Sequence, residues 1–367
     1  MISIDTIKIK EASYLPEEDF LDYAIEQGFG DLHFKVDPET GMKAIIAIHS
    51  TALGPSLGGC RFIEYPSTSS AVSDAMRLAK GMSYKAASVN LPLGGGKAVI
   101  IKPKTSFNRE AYLHAFGKFV NELGGRYITA MDSGTQLADM DLIAQHTNYV
   151  AGLSRHNGNP SPSTAMGVLR GIQAAVEFKL GKSKLEGLEI AIQGLGHVGY
   201  ALASHLHELG AQLIVADINQ VSTELAAKEF GARVVTPETI HSVACDVFAP
   251  CALGAVINDR TISQLQTSIV AGAANNQLAQ SYHGNLLHDK GILYATDYVI
   301  NAGGLIFAAS KYLHTPEYLV SQQIDGIHQS LQVIFSRSLK ENRPTNEIAD
   351  TLAQEKLGLI PTPHSEV

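Results

Sequence analysis

Three glycines at 194, 196 and 199, with Asp217 further on, have the spacing of a dinucleotide cradle. Gly194 permits a sharp turn, Gly196 lets backbone approach a pyrophosphate near a helix N-terminus, and Gly199 lets helix and strand pack closely. The setting is the required one. LEIAIQGLGHVGYALASHLHELGAQLIVADIN reads as an apolar strand, a tight turn, an amphipathic helix and a second apolar strand ending at Asp217. A carboxylate there accepts hydrogen bonds from ribose hydroxyls and repels a 2′-phosphate, so NAD is expected rather than NADP.

Nicotinamide implies hydride transfer, so other residues must hold the hydride donor and manage its proton. Lys85 and Lys97 flank a glycine run in LPLGGGKAVI, and Asp132 follows the apolar run RYITAM. The run is not a phosphate-binding loop, because Leu91 and Ala98 stand where that motif needs a glycine and a hydroxyl. Two lysines sharing a cleft would repel, leaving one neutral enough to act as a base while the other holds a carboxylate; Asp132 would exchange protons. The same spacing also fits a structural set. In that set Lys85 lies on a solvated helix face, Lys97 at a strand entrance, and Asp132 caps a helix beginning near Gln136.

Composition excludes several classes. The chain has 367 residues, 45% of them apolar and 17% charged, enough for two globular domains. With 28 basic and 36 acidic residues the net charge is −8, and no basic patch offsets it, so nucleic acid is not an expected partner. The opening MISIDTIKIKEASY has no apolar stretch of signal-peptide length, and no run reaches about 18 apolar residues, so a soluble cytoplasmic protein without membrane association is expected. Cys60, Cys245 and Cys251 are too few for a disulfide framework, and the 14 histidines form no ligand motif, so no metal is expected.

The expected fold is α/β with two domains. Residues 1–150 alternate β-rich runs (AIIAIH, KAVIIK, RYITAM) with helical ones (TSSAVSDAMRLAKGM, NREAYLHAFGKFVNELGG, ADMDLIAQH), predicting an N-terminal α/β domain with a mixed sheet. GNPSP at 158–162 reads as a hinge ahead of a long helix. Residues 151–330 then form a doubly wound Rossmann domain, with ARVV, DVFAP and SIVAGA as further parallel strands. The helical residues 331–367 either return to the first domain, join subunits, or simply brace the second.

The blocks TALGPSLGGCR, KGMSYKAA, LGGGKAVI, MDSGT, APCALGAVIND, AGAANNQL and DYVINAGG, in that order, resemble the Glu/Leu/Phe/Val dehydrogenase family of amino-acid dehydrogenases, and within it the leucine dehydrogenases most. The resemblance runs from about Ile48 to Ala309. It implies that Lys85 holds the substrate α-carboxylate, Lys97 is the catalytic base, and Asp132 assists proton transfer. Gly58, Gly59 and Asn276 would touch the amino acid, and the glycines before Lys97 would let substrate and cofactor approach the amine. Leu57, Ala130, Leu305 and Ala308 would line the side-chain pocket. Leu195, His197 and Val198, with Thr164, Cys251, Ala252 and Asn275, would join the three glycines and Asp217 around NAD. Cys251 itself is expected to pack rather than react.

The implied reaction is reversible oxidative deamination of leucine, isoleucine or valine to the 2-oxo acid and ammonia, in a homo-oligomer. Leu57 stands where glutamate-specific members carry a lysine, and a glutamate side chain would be left buried and unpaired there. Three neighbours of site positions depart from the leucine-type pattern: Met131 replaces a glutamate, Ser133 an apolar residue, and Phe307 an asparagine. Ala308 replaces a valine, which enlarges the pocket, so an aromatic substrate is the competing expectation, alongside a catalytically weak NAD-binding protein.

Overall fold

The computed structural model describes residues 20–154, 158–252 and 254–361. Contacts divide them into two compact units. One holds the described residues up to Ser83 with Leu93–Ser154, the other Tyr84–Pro92 with those beyond Ser154.

The first unit contains α1 (Phe20–Gln27), β1 (Asp31–Asp37), β2 (Met42–Ser50), β3 (Ser56–Ile63), most of α2 (Thr68–Ser88), β4 (Gly94–Ile101), α3 (Arg109–Glu122), β5 (Tyr127–Met131) and α4 (Leu137–Ile143). Its sheet has the order β1-β2-β4-β3-β5. The β1–β2 and β2–β4 pairs are antiparallel, whereas β4–β3 and β3–β5 are parallel, so the sheet is mixed as expected. Strand alternation sends Cys60, Phe62, Ala98 and Ile100 into a core with Leu113 and Phe116 of α3 and Met140 of α4. Ala47 and Val99 point to the other face, against Val72, Ala75, Met76 and Ala79 of α2. Spacings of three and four along α2 make that apolar stripe.

Two elements escape a reading by pattern. The glycine run does not precede the strand: Gly94, Gly95 and Gly96 are already inside β4, which puts Lys97 mid-strand and not at its entrance. β3, SLGGCRFI, holds the centre of the sheet's parallel half although its glycines and arginine disguise the alternation.

The second unit opens with the last turn of α2 and continues through α5 (Ser161–Leu180), β6 (Glu189–Gln193), α6 (His197–Glu208), β7 (Gln212–Ala216), α7 (Gln220–Phe230), β8 (Arg233–Val234), β9 (Cys245–Pro250), α8 (Asp259–Ile262), β10 (Thr267–Val270), α9 (His283–Asp289), β11 (Leu293–Tyr294) and α10 (Asp297–Ile300). It ends with α11 (Gly303–Leu313), α12 (Glu317–Glu341) and α13 (Thr345–Lys356). All its strands are parallel in the order β11-β10-β9-β6-β7-β8, the doubly wound arrangement, with the chain reversing direction between β6 and β9. In such a sheet the crevice for a ligand lies at the strand C-termini beside that reversal. The helices 331–356 stay with this unit, where α12 packs along α5. Among the described residues no helix is long and apolar enough to cross a membrane, and no cluster of metal-ligating side chains occurs.

Candidate active site

Lys97 is 6% exposed, in a strand paired on both sides. A buried ammonium is costly unless a counter-charge stands beside it. Asp132, the first residue past β5, supplies one: its Oδ2 forms an ion pair with Lys97 Nζ. The pairing follows from register. β5 runs parallel to β3, with Met131 beside Cys60 and Ala130 beside Gly59. A Cβ on Gly59 would lie 2.7 Å from Asp132 Cβ, so the missing side chain makes room for the carboxylate.

The turn Asp132–Thr135 is fastened in place. Asp132 N–H donates to Thr135 Oγ1 (2.8 Å), Thr135 Oγ1 donates to the Cys60 carbonyl (3.0 Å), and Ser133 N–H donates to Asp132 Oδ1 (2.6 Å). Gly134 has φ +80°, and a Cβ there would strike the Phe62 carbonyl at 2.1 Å. Asp132 therefore does not cap α4. Asp139 does, accepting from the Gln136 N–H at 2.9 Å.

Burial lowers the Lys97 amine from its ordinary value, and the Asp132 carboxylate only partly opposes this. Burial alone would raise Asp132, but Lys97 and then Arg61 outweigh it and hold the carboxyl below the usual range. The pair thus couples an ionised carboxylate to an amine that gives up its proton more readily than a free lysine. Arg61 was not singled out by pattern, though it ends the block TALGPSLGGCR. Its Nε lies 3.6 Å from Asp132 Oδ2, and its Nη1 donates to Asp74 Oδ2 at 2.7 Å.

The glycines around Lys97 serve the protein's own packing. A Cβ on Gly58 would fall 1.6 Å from the Gly96 carbonyl, one on Gly94 1.9 Å from the Ser50 carbonyl, and one on Gly95 2.0 Å from the Ser83 nitrogen. One on Gly96 would meet the Tyr127 ring at 2.8 Å. The expectation that bare backbone admits substrate is therefore replaced at 94–96 by close approach of neighbouring strands and of α2. Leu57 is buried on β3; Ala130, partly buried, pairs with Gly59 on β5. Met131 alternates away from Ala130 and is 48% exposed.

In the second unit the turn after β6 has the form its glycines predict. Gly194 has φ +98°, and its N–H donates to the Ala216 carbonyl at 2.8 Å. A Cβ on Gly199 would strike the Gly194 carbonyl at 2.0 Å, whereas one on Gly196 would meet nothing within 4 Å. Gly196 thus leaves an open cradle at the start of α6, where His197 and Val198 form the first turn, whose N–H groups have no partner within the helix. Asp217 Oδ2 accepts from Leu195 N–H, and Oδ1 accepts from Asn219 N–H at 2.7 Å, which fixes the carboxylate beside the cradle. These residues fit a dinucleotide.

Two of the other expected residues lie beside these glycines. Ala252 adjoins Gly194 and Cys251 adjoins Gly199. Burial pushes the Cys251 thiol up to about 12, so it stays protonated and packs. Thr164 at the start of α5 abuts Gly304 of α11. Asn276 is exposed in the left-handed region at φ +50°, its carbonyl accepting from Ala255 N–H at 2.6 Å. Asn275 Oδ1 accepts from Asn301 Nδ2 at 2.8 Å and from Lys85 Nζ at 3.4 Å. Lys85 belongs to the second unit, whereas Lys97 and Asp132 meet in the first. Asn301, which anchors Asn275, was missed although it lies in DYVINAGG. Leu305 and Ala308, three apart and partly exposed, share a face of α11. Phe307 instead fills the space over Gly158, with Lys311 Nζ 5.0 Å from its ring centre.

Residues 29–149 match the family model described as Glu/Leu/Phe/Val dehydrogenase, dimerisation domain, and residues 214–347 match Glutamate/Leucine/Phenylalanine/Valine dehydrogenase. The chain is 50% identical over 327 residues to leucine dehydrogenase of Geobacillus stearothermophilus, covering 88% of this chain and 89% of that one. It is 44% identical over 333 residues to L-tryptophan dehydrogenase of Nostoc punctiforme, covering 90% and 94%. The crystal structure of L-tryptophan dehydrogenase from Nostoc punctiforme superposes with a TM-score of 0.86 at 42% identity, covering 92% of this chain and 98% of that one.

Proposed function

This chain belongs to the Glu/Leu/Phe/Val dehydrogenase family of amino-acid dehydrogenases, and from that premise we propose that it catalyses NAD-dependent, reversible oxidative deamination of branched-chain aliphatic L-amino acids. The observation that carries the reading is the buried Lys97–Asp132 pair in a chain that also builds an open dinucleotide cradle at Gly196. Gly194, Leu195, Gly196, His197, Val198 and Gly199 hold the dinucleotide, with Thr164, Cys251, Ala252 and Asn275 nearby. A bound NAD supplies the hydride acceptor.

Lys85 holds the α-carboxylate and Asn276 the rest of the amino-acid headgroup. Lys97, kept acidic by burial, takes a proton from the water that attacks the imino carbon, and Asp132 passes protons to and from the departing amine. Gly59 leaves room for this exchange by keeping a side chain away from Asp132. Asp217, fixed by two backbone N–H groups, binds the ribose hydroxyls and excludes a 2′-phosphate.

Leu57, Ala130, Leu305 and Ala308 receive the side chain. None carries charge, so an acidic side chain finds no partner, at a cost of several kcal/mol. The aromatic reading has its own support in the small Ala308 and in the likeness to L-tryptophan dehydrogenase. Incubating the protein with NAD or NADP and a panel of L-amino acids, and following nicotinamide reduction, decides between them. Faster reduction with leucine, isoleucine and valine than with phenylalanine or tryptophan is expected, with NAD preferred; Asp217→Ala should erode that cofactor preference. Higher kcat/KM for the aromatic substrates would overturn the aliphatic assignment.

The assembly is a homo-oligomer acting in the cytoplasm. Among the described residues β1 is an edge strand, and it presents Phe34 and Val36, 57% and 62% exposed, within the region matched by the dimerisation model. The three unpaired cysteines suit a reducing compartment.

A further inference from the structure

The charged chain around Asp132 extends beyond the residues that would touch substrate. Asp74, on α2, accepts from three donors: Arg61 Nη1 (2.7 Å) and Tyr65 OH (2.8 Å) on Oδ2, and Arg77 Nη2 (2.9 Å) on Oδ1. These bonds set the guanidinium in one orientation, with its buried Nε 3.6 Å from Asp132 Oδ2 and making no hydrogen bond among the described residues. A guanidinium is charged at every working pH, and its planar fork is rigid. Two carboxylates therefore stand against it, Asp74 hydrogen-bonded to Nη1 and Asp132 near Nε beside the amine.

We propose that Arg61 is a positioning residue for the reaction, its buried charge, clamped by Asp74, aiming the Asp132 carboxylate at Lys97. This rests on the reading of Lys97 as the base. Three charged groups act most on the Lys97 amine. Asp132 comes from the end of β5, Arg61 from β3 and Asp74 from α2. Three other titratable side chains on these strands are uncharged. On β2, burial drops the His49 imidazole to about 4; Cys60 on β3 and Tyr127 on β5 are fully buried and raised above their ordinary values. Arg61 lowers the Lys97 amine and Asp74 raises it, so the two partners of one salt bridge act on the base with opposite sign.

That opposition separates an electrostatic role from a purely structural one. The profile of kcat/KM for the amino acid against pH would be measured for the wild type, Arg61→Met, Arg61→Lys and Asp74→Asn, with melting temperatures alongside. Arg61→Met moves the acid limb up by about half to one pH unit and lowers kcat about tenfold. Arg61→Lys, which keeps the charge, returns the limb close to its wild-type place, and Asp74→Asn moves it down. Damage to folding alone lowers the melting temperature and leaves all limbs coincident, which overturns the proposal, as does a downward shift in Arg61→Met. Should Arg61→Met fail to fold, Asp74→Asn decides by itself, an unmoved limb counting against. A Lys97→Ala protein that still turns over would instead refute the base assignment and not the role of Arg61.

Discussion

Lys97 lies in the middle of a sheet because a carboxylate stands against it, and the same burial that makes the position costly makes the amine useful. The neutral form is reached below the ordinary lysine value of about 10.4. We expect kcat/KM to climb as pH rises through this lowered value and to level off above it. Asp132 raises the amine, so Asp132→Asn moves that limb to lower pH while reducing kcat by about 10²- to 10⁴-fold. A pH–rate series on the two proteins checks both effects, and an upward move would contradict the pairing. Residue types made Lys85, Lys97 and Asp132 legible as chemistry, but spacing could not show that 97 and 132 meet. That depends on the parallel register of β3, β4 and β5, which brings residues 35 positions apart to one strand edge. Arg61 was hidden for the same reason, because its partners Asp74 and Asp132 lie on other elements.

Glycines do two different jobs in these elements, and substitution should tell them apart. In β3, a Cβ on Gly58 would overlap the Gly96 carbonyl, so Gly58→Ala should cost about 3 kcal/mol or more and lower the melting temperature sharply. At the start of α6 nothing lies within 4 Å of a Cβ on Gly196 and its φ is −67°, so Gly196→Ala should leave stability within about 0.5 kcal/mol of wild type. Its effect should fall on NADH affinity, read by fluorescence titration. Unaltered affinity in a well-folded Gly196→Ala protein would remove the cradle from the argument. The β6–α6–β7 unit was readable because all its signals lie within one continuous stretch: an apolar run, a fixed glycine spacing and a terminal acid. β3 was not, because two glycines and an arginine break the period-two pattern that marks a strand. The GGG of β4 was not legible as strand either, since glycine's poor strand preference is local, and here packing against Ser50, Ser83 and Tyr127 overrides it.

At the scale of the whole molecule, one chain folds a mixed sheet carrying an acid–base pair and a parallel sheet carrying a nucleotide cradle. The alternation of β-rich and helical runs made this α/β class legible, while β1, β3 and β11 emerge only from pairing. Edge strand β1 belongs to this scale, because two exposed apolar side chains on a strand whose second edge has no partner among the described residues invite another copy. Phe34→Asp combined with Val36→Lys should shift sedimentation toward a smaller species; an unchanged coefficient would place the interface elsewhere. The central claim is that the buried lysine of the first unit and the cradle of the second serve a single reaction. The most direct measurement is NADH binding and leucine-dependent NAD reduction, made side by side on wild type and Lys97→Ala. Binding within about twofold of wild type with turnover reduced by at least about 10³-fold is the predicted result. Turnover near the wild-type rate in Lys97→Ala would contradict it.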